Sequence, residues 1–253
     1  MSATQSDDYL SRLTTHWRLV REAHEGPPDT RTAARQSLLL TYLGAVRRYL
    51  HGAVRDAEVA EELVQEFSLR FLRGDFRRAC PERGRFRDYV RTTLFRLVAE
   101  YWRRRHKGPQ SLTCDLAEPT LLLTPSAAAE KEFLKSWHNE LMARAWVELA
   151  RVQQETGRPY YLVLRFRAEH PDFSSADMAV HLATRVGKPL TAVAVRQVLH
   201  RAREKFGDLL LEQVARSLAD PSPDTLEQEL VDLNLLDYCR PSLERYRRGQ
   251  EQG

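Results

Sequence analysis

Between Arg70 and Lys107 the chain sets thirteen arginines and lysines against only Asp75, Glu82, Asp88 and Glu100, a net of +9, and threads Phe86, Tyr89, Phe95, Tyr101 and Trp102 among them. Positive charge attracts phosphate, and flat rings give unpaired bases something to stack on. The chemistry open to this block is the binding of an unstacked polyanion. Just ahead of it, Glu58, Glu61, Glu62, Gln65 and Glu66 follow one another with no lysine or arginine between them. That acidic set suits a cationic partner.

Bond-making chemistry has little to work with. The chain contains no HExxH, P-loop, GxSxG or GxGxxG, and the histidines at 16, 24, 51, 106, 138, 170, 181 and 200 are dispersed without metal-ligand spacing. Paired carboxylates fall on amphipathic helices, where a solvated face explains them. The expectation is a protein that is not an enzyme, with no metal, no cofactor and no small-molecule substrate.

The elements that must position these residues are all helical. Val59, Leu63, Phe67 and Phe71 recur every four residues, with Val64 and Leu72 widening the stripe, and Asp56 is placed to cap that helix. Pro81 and Gly84 then break the helix. The stripe resumes with Phe86, Tyr89, Val90, Leu94, Leu97 and Val98, which leaves Arg87, Arg91, Arg96, Glu100, Tyr101, Arg103 and Arg104 for the other face. Upstream, Leu10, Leu13, Trp17 and Val20 predict a short helix stopped by GPP, and a second helix over 31–51 buries Leu38, Leu39, Tyr42, Leu43, Val46 and Leu50.

After the RRRHK run, Pro109, Pro119 and Pro125 mark an extended linker over 108–130. A long helix follows from Glu130, carrying Phe133, Leu134, Trp137, Leu141, Ala145 and Leu149, and another begins at Pro159. Ser174 with Asp177 forms a capping-box start for a short helix, Gly187 and Pro189 break it, and Thr191 caps the next, whose Val195, Val198, Leu199, Ala202 and Phe206 face inward. Two helices joined by a turn, the second rich in arginine, read as a helix-turn-helix. Its candidate DNA contacts are Lys188, Thr191, Arg196, Gln197, His200, Arg201 and Arg203. The turn, taken from Ala183 to Leu190, is long for such a motif. An acidic tail closes the chain, with Leu226, Leu230, Leu233 and Leu236 at helical spacing.

Three strings carry a resemblance. DAEVAEELVQEFSLRFL resembles the core-polymerase-binding helix of bacterial sigma factors, where a DAExLVQExFLRL pattern is typical; RFRDYVRTTLFRLVAEYWRRR is similar to the adjoining helix that opens promoter DNA; and AVRQVLHRAREKF resembles the family's recognition helix. Their order and separation point to the two-domain extracytoplasmic-function (ECF) type of the sigma-70 superfamily. The resemblance implies an all-α fold of two helical domains, a promoter-melting bundle and a helix-turn-helix domain, joined by an extended linker and followed by a helical tail. The implied boundaries are 1–107 for a region 2-like domain, 108–130 for the linker, 131–220 for a region 4-like domain and 221–253 for the tail.

By the same resemblance, Glu58, Glu61, Glu62, Gln65 and Glu66 bind core RNA polymerase. Arg87, Arg91, Arg96, Glu100, Tyr101, Arg103 and Arg104 meet the minus-ten element, and the recognition-helix set meets minus-35. Arg96 and Glu100 stand where the family commonly has Asn and Asp, so its base preference is not carried across. Core polymerase and promoter DNA are the implied partners, with an anti-sigma protein as a further candidate. The alternative is a self-contained helix-turn-helix regulator that binds an operator without polymerase. It accounts for 191–206 and leaves the acidic helix without a use.

Bulk properties agree with a soluble chain. Of 253 residues, 42% are hydrophobic, no apolar run approaches the roughly 20 residues that span a bilayer, and no signal sequence is visible, so no membrane partner and a cytoplasmic location are expected. Cys80, Cys114 and Cys239 are scattered without a CxxC, which fits a reducing compartment. The net charge of +4 hides segregation: from Gly207 onward ten Asp and Glu face five Arg.

Overall fold

The computed structural model describes residues 16–74, 85–107, 127–187 and 189–251. Within them the fold is all-α. Ten helices run in the order α1 (His16–Glu25), α2 (Pro28–Val54), α3 (Ala57–Arg73), α4 (Phe86–Lys107), α5 (Ala127–Thr156), α6 (Tyr160–Glu169), α7 (Ser175–Val186), α8 (Ala192–Ser217), α9 (Pro223–Asp232) and α10 (Leu236–Gln250). The expected connection at Pro81 and Gly84, the segment 108–126 and Lys188 lie outside the described residues. No described helix is long and apolar enough to cross a membrane.

The chain divides into two compact units. One holds everything described up to Glu140 together with Arg216–Asp220, and the other holds Leu141–Ala215 and the tail from Pro221. The first half of α5 belongs with the N-terminal unit, and the tail is part of the C-terminal one.

In the first unit, α2 is the spine. Pro28 opens it, where a missing N–H costs nothing, so the GPP turn ends one helix and begins the next. Leu38, Leu39, Tyr42, Val46 and Leu50 are buried along it as the spacing predicts, with Ala45, Tyr49 and Val54 added. Asp56 caps α3 by accepting from the Glu58 and Val59 amides at 3.1 and 3.2 Å, and Gly74 ends it in the left-handed conformation at φ 86°. Arg35 of α2 reaches both ends of this joint, donating to Ala23 O and Leu72 O at 3.0 Å each.

The aromatic centre of this unit comes partly from beyond the linker. Trp137 of α5 stacks on Tyr42 with centroids 4.8 Å apart, Phe133 meets Tyr49 edge-on at 5.8 Å, and both are at most 2% exposed. Phe86 lies 4.9 Å from Tyr42, and Phe95 5.6 Å from Tyr49. Two ion pairs, Arg91 with Glu130 and Arg48 with Glu140, fasten the same half of α5 over this cluster.

In the second unit, Val163 and Phe166 of α6, Met178, Ala179 and Leu182 of α7, and Val195 and Leu199 of α8 share one core. The capping box forms as expected: Asp177 N donates to Ser174 Oγ at 3.2 Å, and Ser174 N donates to the Asp177 carboxylate at 3.0 Å. The tail helices close on themselves through Arg247, which pairs with Asp224 and Glu227 at 3.0 and 2.8 Å. Leu226, Leu230, Leu233, Leu235, Cys239 and Leu243 supply their buried side.

Candidate nucleic-acid interface and acidic docking face

Helix α3 sorts its residues by angle. Ala60, Leu63, Val64, Phe67 and Phe71 point into the core. Directly opposite, Glu58, Glu62, Gln65, Leu69 and Leu72 alternate steps of four and three residues, which aligns them on one exposed stripe. Leu72 was expected to widen the buried stripe; it is 37% exposed, and Leu69 beside it is 54% exposed. The open stripe is thus acidic at its start and apolar at its end.

Two of the five residues expected on that surface are engaged within the protein. Glu61 sits on the flank toward α2, where Arg47 donates to both its oxygens at 2.7 and 2.6 Å and His51 meets it at 2.7 Å. The Arg47 and His51 hydrogen bonds hold its carboxyl down at about 2, against an ordinary 4.5. Glu66 sits on the flank toward α4, paired with Arg70 and, at 3.7 Å, with Arg104. The expectation of one uniform acidic face is corrected at both positions. Arg47 and His51 of α2 and Arg104 of α4 are cations that spacing along α3 alone does not reveal, whereas Arg70 lies on α3 itself, one turn after Glu66.

Across the same flank, Arg70 reaches Glu100 of α4 at 3.0 Å, and Arg104 reaches Glu100 at 3.3 Å. Burial works against the Arg70 charge, but hydrogen bonds and fields from Glu100 and Glu66 outweigh it, so its pKa is raised. Glu66, Arg70, Glu100 and Arg104 thus alternate in sign along the seam between the two helices. Sequence reading placed Glu100 and Arg104 on a DNA-facing surface and did not single out Arg70.

On α4, Phe86, Val90, Leu94 and Leu97 are buried at 1% exposure or less. Arg87, expected on the outer face, is only 4% exposed. The spacing explains the correction, because 87, 90 and 94 are three and seven residues apart and share the inward face. Arg91 is half-buried and held by Glu130 and by Asp88 at 3.4 Å. Arg96 and Arg103, seven residues apart, are exposed and have no ion-pair partner among the described residues. At the end of the helix, Tyr101 and Trp102 meet edge to face at 5.1 Å, and the Arg105 guanidinium lies 6.0 Å from each ring centre. Trp102, one of the rings of the basic block, joins this surface, and Arg105 does so without having been named as a contact beforehand. The combination offers flat rings and a planar cation to a base, and Arg96 and Arg103 to phosphates.

Helix α8 carries the second basic surface. Val195, Leu199, Ala202 and Phe206 are buried, and Arg196, Gln197, His200, Arg201 and Arg203 are all exposed on the other side. Thr191 caps the helix by accepting from Ala194 N at 3.1 Å. Because α7 continues to Val186 and ends on Gly187 at φ 74°, the connection to α8 spans only 187–191. It is shorter than the turn read from the sequence. Val193, 53% exposed, lies in line with Gln197 and His200 and was missed, since an exposed valine carries no polar signal.

Among the described residues no group of three or more His, Cys, Asp or Glu side chains is placed to hold a metal ion. No curated protein and no solved structure matches the chain. Residues 38–108, which span most of α2, all of α3 and all of α4, match the family model described as Sigma-70 region 2.

Proposed function

We propose that this protein is a sigma factor of the extracytoplasmic-function type, which binds core RNA polymerase, carries it to particular promoters and opens the DNA there. The open stripe of α3 is the polymerase-docking face, with Glu58, Glu62 and Gln65 as its charged and polar part and Leu69 and Leu72 as its apolar end. Arg96, Tyr101, Trp102, Arg103, Arg104 and Arg105 of α4 hold the separated minus-ten strand. Helix α8 reads minus-35 through Arg196, Gln197 and His200, with Arg201 and Arg203 on phosphates. The C-terminal unit is the region 4-like domain on this reading, and an anti-sigma protein is a candidate regulator. The observation that carries the proposal is the seam itself: Arg70 with Glu100 joins an exposed acidic stripe to an exposed cationic and aromatic one within the segment that matches Sigma-70 region 2.

The test is run-off transcription from a library of genomic fragments with core polymerase and the purified chain. Transcripts that start at defined sites only when the chain is present support the proposal. Sequence-specific duplex binding without any polymerase-dependent transcript would support the operator-binding regulator.

A further inference from the structure

The tail packs on the face of α8 that carries the DNA-facing residues, farther along the helix. A Cβ on Gly207 would lie 2.7 Å from Tyr238 O and 3.1 Å from Ser242 Oγ, so α10 crosses α8 there in close contact. Counting 100° per residue, Val193, Gln197, His200, Glu204 and Asp208 all project within a narrow arc opposite the buried row of Val195, Leu199 and Ala202. The outward row therefore begins apolar and polar, with Arg196, Arg201 and Arg203 beside it, and ends in two carboxylates. Those carboxylates are where the tail places Arg245, whose guanidinium is 2.6 Å from Asp208 and 3.6 Å from Glu204. His200 lies 3.7 Å from the same Glu204. The tail leaves Arg196, Gln197, Arg201 and Arg203 exposed.

We infer that the C-terminal hairpin is a working part of the DNA-binding surface: Arg245 compensates Glu204 and Asp208, which would otherwise repel the phosphates that the α8 arginines attract. The tail pairs with the acids and leaves the cations open, the opposite of a shield over the basic face. This rests on the reading of α8 as a DNA-contacting helix. The compensation acts through the field at the helix surface, so Arg245 is a positioning and neutralising residue and need not touch DNA.

The charge of the triad sets a ladder. Arg245→Ala leaves two uncompensated carboxylates, the natural chain has a net of one, Arg245→Ala with Glu204→Gln and Asp208→Asn has none, and Glu204→Gln with Asp208→Asn alone has a net positive charge. The probe is a duplex of about 30 base pairs of random sequence, bound to the full chain and followed by fluorescence anisotropy at several salt concentrations. Affinity should rise along the ladder by about two- to threefold per unit of charge at low salt, with the differences shrinking as salt screens them. Loss of binding in Arg245→Ala that the two neutralising substitutions do not restore would overturn the inference, as would equal affinity across the ladder. The carboxylate-neutralised chain keeps Arg245, so its predicted tightening tests the idea even where removal of Arg245 unfolds the tail. In parallel, Arg196→Ala with Arg201→Ala should weaken binding; if that pair has no effect, the fault lies with α8 as a DNA helix and not with the role given to Arg245.

Discussion

Arg70 of α3 and Glu100 of α4 meet at 3.0 Å across the seam between the two helices, and Glu66 and Arg104 close the set at 3.7 Å. The four side chains are each about one-third to two-thirds exposed, so any one pair contributes modestly. Their value is geometric. They tie α4 to α3 along one flank, while the buried row of Phe86, Val90, Leu94 and Leu97 turns Arg96 and Arg103 outward.

Arg70→Ala leaves Glu66 and Glu100 with Arg104 as their one shared cation. The expected loss is about 1 kcal/mol of unfolding free energy, with a coupling to Glu100→Gln of about 0.5 kcal/mol in a double-mutant cycle. Denaturant titration measures both. Additive effects would mean that the seam holds nothing together.

Trp137→Ala removes a ring stacked at 4.8 Å on Tyr42 from a site 2% exposed. Aromatic-to-alanine changes in such cores cost about 3–5 kcal/mol. The loss should appear in the unfolding of the N-terminal unit, although Trp137 follows the linker. Destabilisation confined to the C-terminal unit would contradict the packing of α5 described above.

That helix shows where sequence patterning stops. The Asp56 cap, the Ser174 and Asp177 box, Leu63, Val64, Phe67 and Phe71 on the inward side of α3, and Leu38, Leu39, Tyr42, Val46 and Leu50 on that of α2 follow from local spacing and form as read, whereas Val59 and Leu43 are only partly buried and Leu72 is exposed. Phe133 and Trp137 keep a regular helical beat, but a beat does not say which core a helix joins, and the prolines of 108–126 suggested a boundary before both. The same limit applies to Glu61, whose partners Arg47 and His51 lie on α2, and to the Arg104 contact of Glu66. Arg87 differs: its place three residues before Val90 was legible as inward, and its charge hid it.

Glu61 predicts an acid-sensitive contact. Its folded carboxyl titrates at about 2, below the ordinary 4.5, so its contribution to stability is complete above pH 4.5 and is lost as pH falls toward 2. Glu61→Gln should flatten the decline of stability over that window. An unchanged acid profile would show that the Arg47 and His51 contacts do not persist in solution.

Val193 stands among the polar residues of the outward row at the start of α8. An apolar side chain there suits the methyl group of thymine in the major groove. On a duplex selected by the chain, replacing the contacted thymine with uracil should weaken binding about fourfold, the worth of one buried methyl, and Val193→Ser should abolish the difference. Equal sensitivity of natural and substituted chains to the methyl would remove Val193 from the readout.

The most direct measurement is the affinity of core RNA polymerase for two variants of the full chain, Glu58→Lys with Glu62→Lys and Arg96→Ala with Arg103→Ala, alongside the natural sequence. The first pair should weaken binding at least tenfold, an order-of-magnitude loss in keeping with charge reversal at a docking surface. The second should bind polymerase as the natural chain does and fail to open promoter DNA. Undiminished polymerase binding by the charge-reversed chain would contradict the account.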